Sequence, residues 1–131
     1  MIKKFKDWLL KKEQTDSIKI SPQFKKREIW WVRVGENIGS EQSGKGANFL
    51  RPVLILCKFN KTLFWGVPLT KSEKSGKFYF TFSFDQRSKS TAILSQLKLF
   101  DARRLEEKMG NMPTENFTEL KKAIHELMDD F

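Results

Sequence analysis

Lys77-Phe78-Tyr79-Phe80-Thr81-Phe82-Ser83-Phe84 sets a phenylalanine at every second position, with Lys77, Tyr79, Thr81 and Ser83 between them. That period of two puts Phe78, Phe80, Phe82 and Phe84 on one face of an extended chain and the polar side chains on the other, the pattern of a half-buried antiparallel strand. Outward from it lie four more β-branched and aromatic runs: 28–34 (EIWWVRV), 52–57 (PVLILC), 62–69 (TLFWGVPL) and 91–97 (TAILSQL). Loops rich in Gly, Ser, Asn and Lys separate them. Short strands in this number predict a small, strongly bent sheet or partly open barrel.

Both flanks read as helical. At residues 2–12, Ile2, Phe5, Trp8 and Leu9 share one helical face among lysines, which predicts a short amphipathic helix docked on the sheet. A helix that only docks is dispensable for any chemistry, whereas a basic amphipathic helix can also lie on an anionic membrane, weakly at this length. Residues 14–26, with Pro22, read as an extended connector. Asp101 is placed to cap a helix over 102–109 ended by Gly110, and Thr114 to cap a last helix running to Asp130. On the latter Phe117, Leu120, Ile124, Leu127 and Met128 form an apolar stripe, read as core or dimer contact. The organisation expected is one domain over 1–131: helix and connector (1–26), β core (27–100) and C-terminal helices (101–131).

The 131 residues carry a formal net charge of +9. The charge is uneven: 20 basic and 8 acidic residues reach Phe100, against 5 basic and 8 acidic beyond it. Such a field attracts polyanions, whether RNA, DNA, an anionic membrane surface or an acidic protein, and does not choose among them. No apolar stretch has the length of a membrane span and the N-terminus lacks a signal-peptide h-region, so a cytoplasmic protein is expected. The single Cys57 lies in an apolar run and reads as an inert buried thiol. The single His125 has no second imidazole with which to build a metal site or an acid/base pair, and reads as a surface or interface side chain.

Three ordered blocks then carry a resemblance. Ile38-Gly39-Ser40-Glu41-Gln42, a glycine-containing loop, and Arg51-Pro52-Val53-Leu54-Ile55-Leu56 form the first; Pro68-Leu69-Thr70, a strand ending in threonine, the second; Ala92-Ile93-Leu94-Ser95-Gln96-Leu97-Lys98, with Asp101 and Arg104-Leu105 beyond, the third. Together they resemble the PemK/MazF toxins of type II toxin-antitoxin systems. The resemblance implies an α+β, mainly β fold: a small SH3-like barrel with an N-terminal amphipathic helix and C-terminal helices. It also implies a homodimer, endoribonuclease activity at short motifs in single-stranded RNA, and a cognate antitoxin whose acidic tail covers the RNA groove. The chain departs from the best-known members in its longer 43–50 loop (SGKGANFL) and in the extension before Arg27. Ile93 and Ser95 stand where some members have an arginine and an aspartate, so no acid/base role carries over to them.

RNA can be cut without metal or cofactor when its own 2′-hydroxyl attacks the neighbouring phosphorus, given a proton acceptor, a cation facing the phosphate oxygens and a donor to the leaving oxygen. Arginine suits the middle task, being always charged and able to hold two phosphate oxygens. Arg51 is the expected cation, Thr70 a hydroxyl donor to the phosphate, and Glu41 either the acceptor of the 2′-hydroxyl proton or an orienting partner of Arg51. Lys45, Asn48, Lys58, Gln96 and Lys98 are candidates for contacts to the RNA backbone or bases, and Phe49 for stacking on an unpaired base. The competing readings are a non-catalytic SH3-like module binding nucleic acid or an acidic peptide, and a peripheral membrane protein resting on residues 2–12 alone; stable membrane association is not expected.

Overall fold

The structure, a computed structural model, describes residues 2–86 and 88–131. Its elements in chain order are α1 (Phe5–Asp16), β1 (Glu28–Arg33), β2 (Leu50–Lys58), β3 (Leu63–Thr70), β4 (Tyr79–Phe82), β5 (Ser90–Ile93), β6 (Lys98–Asp101), β7 (Leu105–Asn111) and α2 (Thr114–Asp129), with single 3-10 turns at Leu94–Gln96 and Ala102–Arg104. The strands form one antiparallel seven-stranded sheet in the order β4-β5-β3-β2-β1-β7, with β6 paired to β3 beside β5. It bends but does not close: β4 and β7 end the path, so the barrel implied by the resemblance is open.

β3 is shared between two neighbours. Its first half, Leu63 to Gly66, pairs with β6, and Leu69 and Thr70 pair with β5. Val67 and Pro68 fall at the handover, flanked by β2 alone, so the missing N–H of Pro68 costs no ladder bond on the open side. Gly66 sits where β6 crosses closely; a Cβ there would lie 2.5 Å from Val53 Cγ1 and 2.9 Å from the Phe100 ring.

Alternation along β1 and β2 gives the sheet two cores. Trp30, Val32, Val53 and Ile55 face a cluster with Phe24, Phe64 and Phe100. Ile29 and Leu54 face the opposite one, where α2 lays down Phe117 and Leu120 beside Phe82 and Met112. Of the rest of the α2 stripe, Ile124 and Leu127 are partly buried there and Met128 is exposed.

Three expectations about the C-terminal half are corrected. Residues 105–111 are strand, where helix was expected to reach Met109: only one 3-10 turn follows Asp101, whose carboxylate accepts the Arg103 amide at 2.9 Å. Pairing with β1 from Leu105 to Asn111 supplies the backbone partners a helix would have given. Thr114 is inside α2, whose cap position is Pro113 and has no side-chain cap. The phenylalanine strand is only Tyr79–Phe82, because the chain turns at Ser83, whose hydroxyl donates to Ser88 O at 2.8 Å. Phe80, Phe82 and Phe84 still pack in a row, with ring centroids 6.3 and 6.1 Å apart, while Phe78 is exposed.

α1 is four residues longer at its C-terminus than the sequence pattern suggested, and it buries only Trp8 and Thr15. Ile2, Phe5 and Leu9, expected to share the docked face, are exposed, and Ile2 precedes the helix. Cys57 is half-buried, and His125 is exposed beside Asp129 at 3.6 Å. Among the described residues no helix is long and apolar enough to cross a membrane.

Candidate active site

The site begins where sheet pairing stops. Val53 is the last β2 residue opposite β3, facing Pro68. Carried on, that register sets Pro52 opposite Leu69 and Arg51 opposite Thr70. Pro52 has no N–H to offer, and the Leu69 carbonyl takes the Arg51 guanidinium instead, through Nη1 at 3.2 Å. A second hydrogen bond, Arg51 Nε to Ser43 O at 2.9 Å, fixes the other side of the group. Burial pushes the guanidinium below its ordinary pKa, which still leaves it charged at neutral pH. Nη2 has no protein partner among the described residues.

Arg51 and Thr70 line one cavity of about 670 Å³, with Lys45 and Lys71 bringing further positive charge and Trp31 and Phe84 aromatic surface. The Thr70 hydroxyl oxygen accepts the Ser72 amide at 3.2 Å, which leaves its own proton free to donate. Asp85, Glu106 and Glu107 bring carboxylates to the same wall. Glu106 is committed to Arg33 Nε at 3.2 Å, and Asp85 accepts the Ser88 amide at 3.3 Å.

The loop from Val34 to Leu50 is tightly knit. The Asn37 side chain donates to Val34 O at 3.2 Å and Gln42 O at 2.6 Å, and its amide donates to Ser43 Oγ at 2.9 Å. Glu41 belongs to this network rather than to the cavity. It is exposed, and its carboxylate accepts the Ile38 amide at 3.0 Å. With Gln96 and Lys98 it borders a separate cavity of about 130 Å³. There Gln96 accepts the Gln42 amide at 3.4 Å. Burial, then the charge of Arg104, push the Lys98 ammonium down, and the Glu41 carboxylate opposes them.

Other expected contacts are placed elsewhere. Phe49 is 4% exposed, with φ +55° and its ring 5.4 Å from that of Trp8, so it has no face to offer a base. Lys58 donates to Phe24 O at 3.0 Å over the Phe24 ring, in a groove beside α2. Asn48 is half-buried in the loop and does not line the Arg51 cavity. Ile93 is buried and Ser95 exposed. Sequence reasoning missed Trp31 and Glu107, which face each other in the β1–β7 register. The alternation of EIWWVRV separates Trp31 from the buried Trp30, but Glu107 was hidden by the helical reading of its segment.

A half-buried arginine between a strand-end threonine and a glycine-rich loop, in a basic sheet domain, is a geometry suited to an anion. Residues 25–128 match the family model described as PemK-like, MazF-like toxin of type II toxin-antitoxin system, and the chain belongs to that family. Solved structures agree in fold. MazF (Form-I) from Deinococcus radiodurans superposes with TM-score 0.62 at 18% identity, covering 84% of this chain and 98% of that one. The Mycobacterium tuberculosis toxin MazF-mt6 gives 0.61 at 16% identity, covering 79% and 97%. A MazE-MazF structure (Form-II) from Deinococcus radiodurans gives 0.57 at 15% identity, covering 83% and 96%. Comparison with curated protein sequences gives no match.

Proposed function

We propose that this toxin is a metal-independent, sequence-selective endoribonuclease that cuts single-stranded RNA through attack of the 2′-hydroxyl on the adjacent phosphorus. The observation that carries the reading is the Arg51 guanidinium, tied through Nε and Nη1 to two carbonyls with Nη2 unpaired among the described residues, in a cavity it shares with the Thr70 hydroxyl. A fixed, partly desolvated cation meets developing charge on the phosphate oxygens with no reorganisation at the moment of reaction. Thr70 donates to the same phosphate. Glu107, which makes no ion pair among the described residues, accepts the 2′-hydroxyl proton, and Glu41 holds the loop that holds Arg51. Lys45 and Lys71 contact the flanking RNA backbone, and Trp31 offers a surface for an unpaired base. Gln96 and Lys98 extend this surface past Pro68.

The partner proposed is an antitoxin with an acidic tail that covers the same basic surface, in a cytoplasmic complex with a toxin homodimer; the Deinococcus radiodurans MazE-MazF structures support a pairing of this kind. The test is incubation of purified, antitoxin-free protein with single-stranded RNA and its DNA counterpart in excess EDTA. RNA fragments ending in 2′,3′-cyclic phosphate with intact DNA are expected. Uncut RNA, or equal cutting of DNA, would overturn the proposal.

A further inference from the structure

α1 lies outside residues 25–128 that match the family, yet its contacts converge on the loop that fixes Arg51. Trp8 is 8% exposed, and its indole packs on Phe49 and directly over Gly35, where any Cβ would overlap the ring. Gly35 also has φ +85°, so conformation and contact both require glycine. Those two residues are the base of the loop. Phe49 O accepts the Val34 and Gly35 amides at 3.1 and 3.3 Å, and Gly35 O accepts the Gly44 amide at 2.7 Å. Gly44 follows Ser43, whose carbonyl holds Arg51 Nε, and Phe49 is two residues before Arg51 itself.

The helix is pinned at both ends. Lys3 Nζ donates to the carbonyls of Asn37 and Gly39, and the Lys4 amide donates to Glu36 at 2.8 Å. At the far end Arg103, clamped by Asp101, donates to Asp16 O at 3.0 Å. The apolar side chains Phe5, Leu9 and Leu10 stay exposed; Trp8, which also has the Arg104 guanidinium 5.7 Å from its ring, is the one large apolar side chain that α1 buries.

We propose that α1 is a strut for the Arg51 loop and that Trp8 is a positioning residue for RNA cleavage, acting through Gly35 and Phe49 without touching RNA. This rests on the ribonuclease reading for its effect on turnover, and it reverses the expectation that a docked N-terminal helix is dispensable. Misplacing a catalytic group by about 1 Å costs of order 10²-fold in rate. Trp8→Ala should therefore lower kcat at least about tenfold with KM changed by less than about threefold, while Trp8→Phe restores most of the loss.

Hydrogen exchange supplies the readout that a merely structural role would not move. In Trp8→Ala the amides of Gly44, Lys45 and Leu50 should exchange at least about tenfold faster, with those of Val53 to Ile55 unchanged. In the parent, the same loop amides should exchange no later than those of α1, because the loop opens when the strut does. A folded Trp8→Ala with parental kcat and loop protection would overturn the proposal. So would loop amides that stay protected in the parent after α1 has exchanged, a result that decides the matter even if Trp8→Ala does not fold. Absence of RNA cleavage by the parent would refute the ribonuclease reading, and loop exchange would still decide whether the strut exists.

Discussion

Arg51 Nη1 donates to the carbonyl of Leu69, the residue before Thr70, so the cation is locked to the strand that delivers the hydroxyl. Lysine cannot reproduce this, since a single ammonium lacks the planar fork that holds Ser43, Leu69 and a phosphate at once. Arg51→Lys should therefore fail nearly as badly as Arg51→Ala, each losing about 10²–10³ in kcat, by analogy with removal of one preorganised donor to a developing oxyanion. Single-turnover cleavage of a short RNA measures it; a lysine variant within a few-fold of the parent would show that charge alone suffices.

Thr70 separates donation from shape. Its oxygen already accepts the Ser72 amide, so serine keeps both the acceptor and the free proton, whereas valine keeps only the outline. Thr70→Ser should cut RNA within about threefold of the parent and Thr70→Val at least about tenfold slower, the size expected for a lost hydrogen bond to a charged group. Equal rates for the two would remove the hydroxyl from the mechanism.

The proposed mechanism gives two carboxylates different parts. Glu107→Gln should abolish the acidic limb of the pH–rate profile and lower kcat by about 10²-fold or more, as loss of a general base does. Glu41→Gln should keep the profile's shape with a smaller loss, because an amide oxygen can still accept the Ile38 N–H. The reverse pattern would return the proton-accepting role to Glu41.

Acid should loosen the far end of α1. The Arg103 guanidinium, by hydrogen bonding, holds the Asp101 carboxyl below its usual range, against a smaller opposing effect of burial. A depressed folded-state pKa gives stability that is present above the unfolded value of about 4 and is lost as pH falls through the folded one. Asp101→Asn should thus unfold at a lower temperature than the parent at pH 7, and the gap should shrink steadily below about pH 4. A gap that stayed constant to pH 3 would mean the ion pair contributes nothing that titrates.

Much of the sheet could be read directly because its strands carry their own pattern: the alternation in EIWWVRV and KFYFTFSF, and the apolar run PVLILC, need no partner to be recognised. Leu105–Asn111 could not, since LEEKMGN has the spacing and charge of an exposed helix and becomes a strand only by pairing with β1, far away in sequence. The same limit applies to the site. Arg51 and Thr70 were legible through the short blocks around them, and the fold brings them to one cavity. The separation of Glu41 from that cavity, the burial of Phe49 and the arrival of Glu107 depend on how the loop and the edge strand pack, which local residues do not encode. Trp8 was legible as an apolar position but not as a contact to Gly35.

Pro52, one step beyond the last β2–β3 pair, has a further effect. An amide there could donate to Leu69 O, carry the ladder one pair further and displace the Arg51 guanidinium from the carbonyl that holds it. The imino acid keeps that carbonyl available to the guanidinium, so the seat of the cation is written into the covalent chain and does not wait on any motion of the sheet.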